Sequence, residues 1–404
     1  MISINKDNCS GCAACANACP KGCIIMRPDQ EGFVYPEVDT KKCISCGVCQ
    51  RVCPINTLHQ TSNTSNHEPV CYAAYNKNEQ VRLSSSSGGI FTLLAEYALE
   101  RNGVVFGAAL TEQNRIRHIC IEKKTELPKL RGSKYVQSEI GNTYVLAEEY
   151  LRTGRLVLFS GTPCQIGGLK SYLRKEYDNL ITQDIICHGC PSPLVWHKYL
   201  EFREKQSGDV VQSVSFRDKR KGWKRFSLRL GFEKGREYTR TLFSDLFLQG
   251  FLKDFCLRPS CYQCSFRGIV RESDITLADY WGIGSVHPEM DDDKGTSLVV
   301  ANTDAGRRVL DVILLSCVYC RSDGYKAFKH NPAIIYSPNR PKERDTYIQD
   351  VVGLGFSRVK TKYFRTTHKD AFYLARRVLS KVKRILIAVV RKRYNKGLQD
   401  KSKE

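Results

Sequence analysis

Four cysteines fall within twelve positions in CSGCAACANACP, residues 9 to 20, and the arrangement returns in CISCGVCQRVCP, residues 43 to 54. Both runs read C-x2-C-x2-C-x3-C-P. A tight loop with a thiol at every third residue directs three thiolates at one small volume, as a cubane four-iron cluster requires. The fourth cysteine lies too far along to close its own site, and in such paired runs it ligates the other cluster. The spacing therefore predicts one set from Cys9, Cys12, Cys15 and Cys53, and a second from Cys43, Cys46, Cys49 and Cys19. Pro20 and Pro54 fix the chain direction leaving each site, and Gly11 and Gly47 give the backbone room to pass close to it. Zinc sites usually pair two C-x2-C units across a longer spacer, which this triple spacing does not match. Cys23 stands outside the pattern and reads as a small buried apolar side chain.

Residues 1–56 thus resemble a bacterial-type two-cluster ferredoxin module, with GFVYPEVD between the runs supplying a short strand. Such a module stores and passes single electrons and performs no bond chemistry, so the function must lie downstream.

Four further cysteines form a separate group. Cys164 sits in SGTPCQ, between a strand and a helix, and Cys187 sits in DIICHG at the end of the next strand. Cys261 and Cys264 form the C-x2-C of RPSCYQCSFRG. Loops at the carboxyl ends of strands in an open α/β sheet converge on one crevice, so these four could close a third thiolate site. A helix starting at Cys164 would turn its positive end toward a negatively charged cluster. On spacing alone, a zinc site or buried free thiols fit as well. Cys71, Cys120, Cys256, Cys317 and Cys320 read as packing residues.

The elements that must position these groups follow a linker-like break. TLHQTSNTSNHEP, residues 57–69, is polar, aperiodic and ends in proline. Beyond it strands and helices alternate. VCYAAYN, VVFGAAL, RIRHICIE, RLVLFS and NLITQDIICHG read as strands, and IFTLLAEYALERNG, TYVLAEEYLRTG and QIGGLKSYLRKEY as helices. That order predicts α/β layers around a largely parallel sheet. No G-x-G-x-x-G follows a first strand. The best phosphate cradle is SSSSGGIF, residues 84–91, whose small residues open a helix, and a merely well-capped helix after a turn fits the same residues.

LVLFSGTPCQIGGLKSYL, ICHGCPSPLVWHKYL, FRDKRKGW, RPSCYQCSFRG and SDITLADYWGIG occur in an order that resembles the beta-subunit family of coenzyme F420-reducing hydrogenase and its dehydrogenase relatives, across roughly residues 70 to 330. The resemblance implies a flavoprotein, usually with FAD, in which a third iron–sulfur cluster lies beside the flavin. It implies cluster-ligand roles for Cys164, Cys187, Cys261 and Cys264. The family pattern has an aliphatic residue where this chain has Cys190, so Cys190 competes for one of those roles. The resemblance also turns the serine loop toward flavin, with Ser86, Ser87, Gly88 and Gly89 at the pyrophosphate. LRGSKYVQS supplies Arg131 and Lys134, the latter for a flavin phosphate or the ring's N1–C2 edge, where positive charge favours reduced flavin. In SFRDKRKGWKRF, which otherwise reads as a solvated hairpin, Arg217, Lys221 and Trp223 make a wall for an anionic substrate or cofactor. His188 is a candidate proton donor or a hydrogen-bonded neighbour of Cys187, and Asp279 and Trp281 are expected to orient the cluster loop.

Nineteen cysteines in 404 residues suit either disulfides or metal ligands. MISINKDNC has no basic start, apolar run or small-residue cleavage site, which favours reduced thiols in a cytoplasmic protein. The net charge of +21 is uneven, with 16 Lys or Arg against 3 Asp or Glu from residue 357 to 404. Within that tail, residues 369–394 place apolar side chains at helical spacing with a basic opposite face. This suits peripheral attachment to the anionic inner face of a membrane or packing on the chain's own body. No recognised nucleic-acid module accompanies the charge. The longest apolar run, ILIAVV at 385–390, is far below the roughly 20 residues of a membrane span.

The expected organisation is α+β and α/β. A ferredoxin-like domain at 1–56 and a linker at 57–69 lead to a flavin-binding α/β body in parts 70–150 and 151–340, and a basic helical tail covers 357–404. The expected function is an oxidoreductase exchanging electrons between two [4Fe-4S] clusters, a third cluster and FAD, acting on a small organic substrate or a deazaflavin. A redox partner protein, either a ferredoxin or a dehydrogenase- or hydrogenase-like subunit, is implied. The competing class is a non-catalytic electron-transfer subunit docked on another enzyme.

Overall fold

The computed structural model describes residues 2, 5–57 and 69–364. The helical reading of residues 369–394 and most of the 57–69 linker lie outside the described residues. Contacts gather Met1–Phe356 into one compact unit and Ser357–Glu404 into another.

In the cysteine-rich segment, β1 (Ile24–Pro28) and β2 (Val34–Val38) form an antiparallel hairpin, Ile24 opposite Val38 and Pro28 opposite Val34. The expected strand in GFVYPEVD is β2. The body is built on β3 (Val70–Asn76), β4 (Val104–Leu110), β5 (Ile116–Ile121), β6 (Val157–Ser160) and β7 (Leu180–Ile185). A separate three-stranded antiparallel sheet follows, from β8 (Val211–Asp218), β9 (Ser227–Phe232) and β10 (Glu237–Thr241). The chain then returns to the large sheet with β11 (Ile275–Asp279), β12 (Ser297–Ala301) and β13 (Cys317–Ser322). The eight strands run in the order β13-β3-β12-β11-β7-β6-β4-β5, so the sheet spans both halves of the body.

This sheet is mixed, whereas the alternation of elements predicted a largely parallel one. Only β11–β7, β7–β6 and β6–β4 pair in parallel. β11 meets β12 antiparallel after a short helical excursion, and β3 enters between β12 and β13, antiparallel to both. β4 and β5 close the other edge as a hairpin.

The parallel centre is sheathed on both sides, which accounts for its unbroken apolar runs. Side chains alternate with period two. Val105 and Leu158 face one layer with Ile90, Leu94 and Leu310, while Val104, Phe106, Val157 and Phe159 face another with Ile166 and Leu169. Ala13, Ala14 and Val52 of the cysteine-rich segment belong to the second layer, so that segment shares the body's core. Two arginines reinforce the junction. Arg344, 1% exposed, forks onto the Glu31 carboxylate, with Nη2 donating to Oε2 at 2.6 Å. Arg258, also 1% exposed, donates to the carbonyls of Cys9 (2.8 Å) and Val34 (3.0 Å).

Candidate functional site

The cysteine runs fold as tight loops opening single helical turns. Ala13 and Gly47, each immediately before a turn, hold φ near 62° and 73°, and Gly11 holds 69°. Gly11 has a second reason to be glycine. A Cβ there would meet Gln137 Nε2 at 2.7 Å and Arg258 Nη1 at 2.8 Å. The loops bring Cys53 of the second run to the first. Burial raises the Cys15 thiol to about 12, and the charges of Cys9 and Cys53 push the same way. Burial likewise raises Cys53 and Cys12, with Cys9 adding to both. Cys9, Cys12, Cys15 and Cys53 thus form one inner group. The second predicted set, Cys19, Cys43, Cys46 and Cys49, lines a single cleft, joined there by Cys23, whose sulfur lies 3.3 Å from that of Cys19. Cys46 is exposed.

The third group is gathered by strand ends, as the topology of the parallel strands requires. Cys164 follows β6 on the helix Pro163–Leu173, where Thr162 caps and its hydroxyl lies 3.2 Å from the Cys164 sulfur. Cys187 follows β7, and Cys261 and Cys264 lie on and just after the short helical stretch Pro259–Gln263. All four line one cavity, and Cys190 lines it too, its backbone N–H donating to the Cys261 sulfur at 3.4 Å. Burial raises Cys164 to about 11 and Cys261 to about 12, and it lifts Cys187 and Cys190 well above the usual thiol range. Arg258, Arg267 and Arg271 border the same cavity, and the buried Nε of Arg267 and of Arg271 has no hydrogen-bond partner.

The inner group and this cavity abut. Gly168, one turn beyond Cys164, faces Cys12, and a Cβ on Gly168 would stand 2.8 Å from the Cys12 Cβ and 3.1 Å from its sulfur. Arg258 lies between the two, with Nη2 3.9 Å from the Cys9 sulfur, while its charge lowers Cys164, Cys190 and Cys261. Its remaining contacts are carbonyls, Gln137 Oε1 at 2.9 Å and the Tyr35 and Phe33 rings, so among the described residues no carboxylate answers its charge. A zinc tetrahedron with Zn–S near 2.3 Å needs sulfurs about 3.8 Å apart. Among the described residues only His287, Glu289 and Cys320, on the β13 edge, bring three ligand atoms within 4.8 Å of one another. No three cysteine sulfurs among the described residues come that close to one another.

The serine loop and LRGSKYVQS meet, with the Ser133 N–H donating to Ser86 Oγ at 2.7 Å. Arg131 donates to Ser84 Oγ and Thr92 Oγ1, both neutral, and Gly89 begins the helix Ile90–Leu99 without a side-chain cap. Ser87 and Gly88 are committed to the scaffold. The Ser87 hydroxyl donates to the Thr296 carbonyl, the Gly88 N–H donates to Ser297 Oγ, and a Cβ on Gly88 would stand 2.4 Å from the Ala74 carbonyl oxygen. The Lys134 ammonium donates to the carbonyls of Leu130 and Arg131, and burial lowers its pKa to about 7. Three residues further, Gln137 lines the cysteine cavity, so one short loop runs from the serines to the third group.

Other expectations land elsewhere. Lys221 is exposed, whereas Lys219, which the sequence reading passed over, reaches the serine loop and donates to the carbonyls of Arg82, Ser87 and Lys294. Arg217 forks onto Asp279, which also accepts from Trp223 Nε1, and Trp223 stacks on Trp281 at 4.9 Å. The Arg217 charge is thus matched inside the protein. His188 Nε2 lies 2.6 Å from Asp254 Oδ1, and His188 is not among the residues lining the cysteine cavity. Nothing in the sequence marked Arg258, whose acceptors come from three distant segments.

Residues 8–57 match the family model of a 4Fe-4S dicluster domain. Residues 71–143 match the N-terminal model, and 154–319 the C-terminal model, of the coenzyme F420 hydrogenase/dehydrogenase beta subunit. A coenzyme F420-dependent sulfite reductase of Methanocaldococcus jannaschii is 23% identical over 331 residues, 77% of this chain and 47% of that protein. A ferredoxin of the same organism is 35% identical over 57 residues, 14% of this chain and 73% of that protein. The chain thus spans about half the length of the sulfite reductase, and about a fifth of the RNA polymerase subunits Rpo3 of Methanosarcina acetivorans and Methanosarcina mazei, which are 40% and 42% identical over 58 and 55 residues. A chain in the F420-reducing [NiFe] hydrogenase complex of Methanosarcina barkeri superposes with a TM-score of 0.46 at 18% identity, covering 70% of this chain and 90% of its own. Residues 8–57 are therefore a two-cluster iron–sulfur module.

Proposed function

The chain belongs to the coenzyme F420 hydrogenase/dehydrogenase beta-subunit family, an iron–sulfur electron-transfer family of oxidoreductases, and from that premise we propose a flavin-dependent enzyme wired to its own two-cluster module. Cys9, Cys12, Cys15 and Cys53 hold an inner cluster, and Cys19, Cys43, Cys46 and Cys49 an outer one. Cys164, Cys187, Cys261 and Cys264 hold a third, with Cys190 as the spare thiol. When bound, the clusters supply one-electron transfer and FAD joins single electrons into a two-electron exchange. The donor set fits the third cluster, since Cys164, Cys187 and Cys261, raised by burial, lose their protons only to a cationic metal core, and Arg258 and Arg267 offset the negative charge their thiolates bring. The serine loop fits a flavin phosphate through Arg131, whose side chain bonds only hydroxyls among the described residues, and through the uncapped first turn at Gly89, with Ser86 beside them. Lys134 holds its own loop against both neighbours. His188, whose Nε2 lies beside Asp254 Oδ1, is assigned the role of proton donor. The substrate is a small hydride-level acceptor or donor, either organic or a deazaflavin such as the F420 named for the relatives.

The observation that carries this reading is the contiguity of the inner group, Arg258 and the five-cysteine cavity, with Gln137 leading from that cavity to the serine loop. The test is iron, acid-labile sulfide and flavin per chain after anaerobic purification, in wild type and in Cys164→Ala. About twelve irons and one flavin, with about four irons lost in the variant, support it. About eight irons, no flavin and an unaffected variant refute it and leave an electron-transfer subunit.

A further inference from the structure

We propose that the face over the outer cysteine set is the docking surface for a small acidic one-electron carrier protein. This rests on the cluster assignment above and adds to it where electrons cross the protein surface, and between what charges.

The two sets differ in access. The inner one is enclosed by the body. Gly11 is pressed against Gln137 and Arg258, Gly168 against Cys12, and Ala13, Ala14 and Val52 are buried in the body's core. The outer set opens to solvent, since Cys46 is exposed and Ile44, 58% exposed, lines the same cleft. Electron exchange with another protein needs the shorter approach, and the outer face, with Cys46 exposed where the inner set has Cys15 buried, offers it.

The rim of that face is cationic. Lys21 lines the cleft, and Arg51 Nη1 donates to the Cys46 carbonyl at 3.2 Å, so the two flank the exposed cysteine. Lys41 and Lys42 stand on the approach to Cys43, both exposed. Lys42 pairs with Asp39 at 3.6 Å, while Lys21, Lys41 and Arg51 form no ion pair among the described residues. An exposed apolar side chain ringed by unpaired cations suits a partner whose redox centre lies under an acidic surface, as complementary charge steers encounter and a small apolar centre lets the partner leave again. A cationic carrier would be repelled.

The experiment follows reduction of the anaerobically purified full chain by stopped flow. One reductant is an acidic two-cluster ferredoxin, and the other is reduced methyl viologen, a small cation. The variants are K21E/K41E/R51E and, as a control of equal charge change on distant exposed positions, K175E/K205E/K234E. The expected result is a ferredoxin rate that falls with ionic strength in wild type and drops about tenfold or more in the first variant only, with viologen reduction retained. A rate flat in salt, or equal losses in both variants, overturns the docking surface. Iron, sulfide and viologen reduction separate the two layers. If they show intact clusters while the ferredoxin rate ignores the charges, only the docking face is wrong. If wild type lacks two reducible clusters, the assignment beneath it fails as well. Should the first variant lose iron, the wild-type salt series decides alone.

Discussion

Replacing Arg258 by methionine keeps most of the side-chain volume and deletes a buried positive charge that no carboxylate matches among the described residues. Its guanidinium approaches the Cys9 sulfur at 3.9 Å and also bears on three thiols of the adjacent cavity. An electron added to a cluster is spread over it, so the separation that matters is roughly 7 Å rather than the shortest contact. At an effective dielectric constant of about 20 this gives an attraction of about 2 kcal/mol. For a one-electron couple that is about 0.1 V, from about 59 mV per tenfold. A positive charge stabilises the reduced form, so its removal lowers the potential. The expected outcome for Arg258→Met is a fall of about 0.1 V in the inner cluster and a smaller fall in the third, read by EPR-monitored redox titration. The lost hydrogen bonds to two buried carbonyls also cost about 1–3 kcal/mol each in stability, so iron content is measured on the same sample. A shift below about 30 mV with full iron, or a rise, refutes the role given to this charge.

Gly168→Ala pushes a methyl group into Cys12 and is expected to cost about 1–3 kcal/mol and to release inner-set iron on mild heating, read by thermal melting with iron release. A wild-type melt would show that the loop gives way freely. Cys187→Ser is expected to lose about four irons while Cys190→Ser keeps them all, and the reverse pattern would make Cys190 the ligand. His118, held by Ser138 Oγ (2.7 Å) and the Ser160 carbonyl (3.0 Å), has its pKa lowered by burial to about 4. Its folded pKa lies below the unfolded value near 6.5, so the unfolded chain binds the proton first. Stability from this residue is therefore whole above pH 6.5 and falls by about 3 kcal/mol between pH 6.5 and 4. Urea unfolding of wild type beside His118→Phe across that range checks it, and parallel pH profiles would refute it.

The cysteine sets were legible because their geometry is local. Three thiols at every third residue point into one loop whatever surrounds them, and the fourth needs only the companion run. Cys164 and Cys187 were legible for a related reason, since consecutive parallel strands β6 and β7 must deliver their following loops to the same edge. The mixed sheet was not legible. β3 pairs with β12 and β13, strands more than 200 residues away, through backbone hydrogen bonds that carry no sequence signature. The arginines were hidden for the same reason. Arg258 and Arg344 bind acceptors on the cysteine-rich segment more than 220 residues away, and in a bare sequence they look like any other cation. Tertiary structure also reassigned charge, matching Arg217 to Asp279 and sending Lys219 rather than Lys221 to the serine loop, because packing decides which long side chain finds a partner. The amino-acid order thus determined which thiols gather into groups. The packing of distant segments decided that the inner set lies against the third cavity with an unmatched charge between them, and that the exposed cysteine, Cys46, belongs to the outer set.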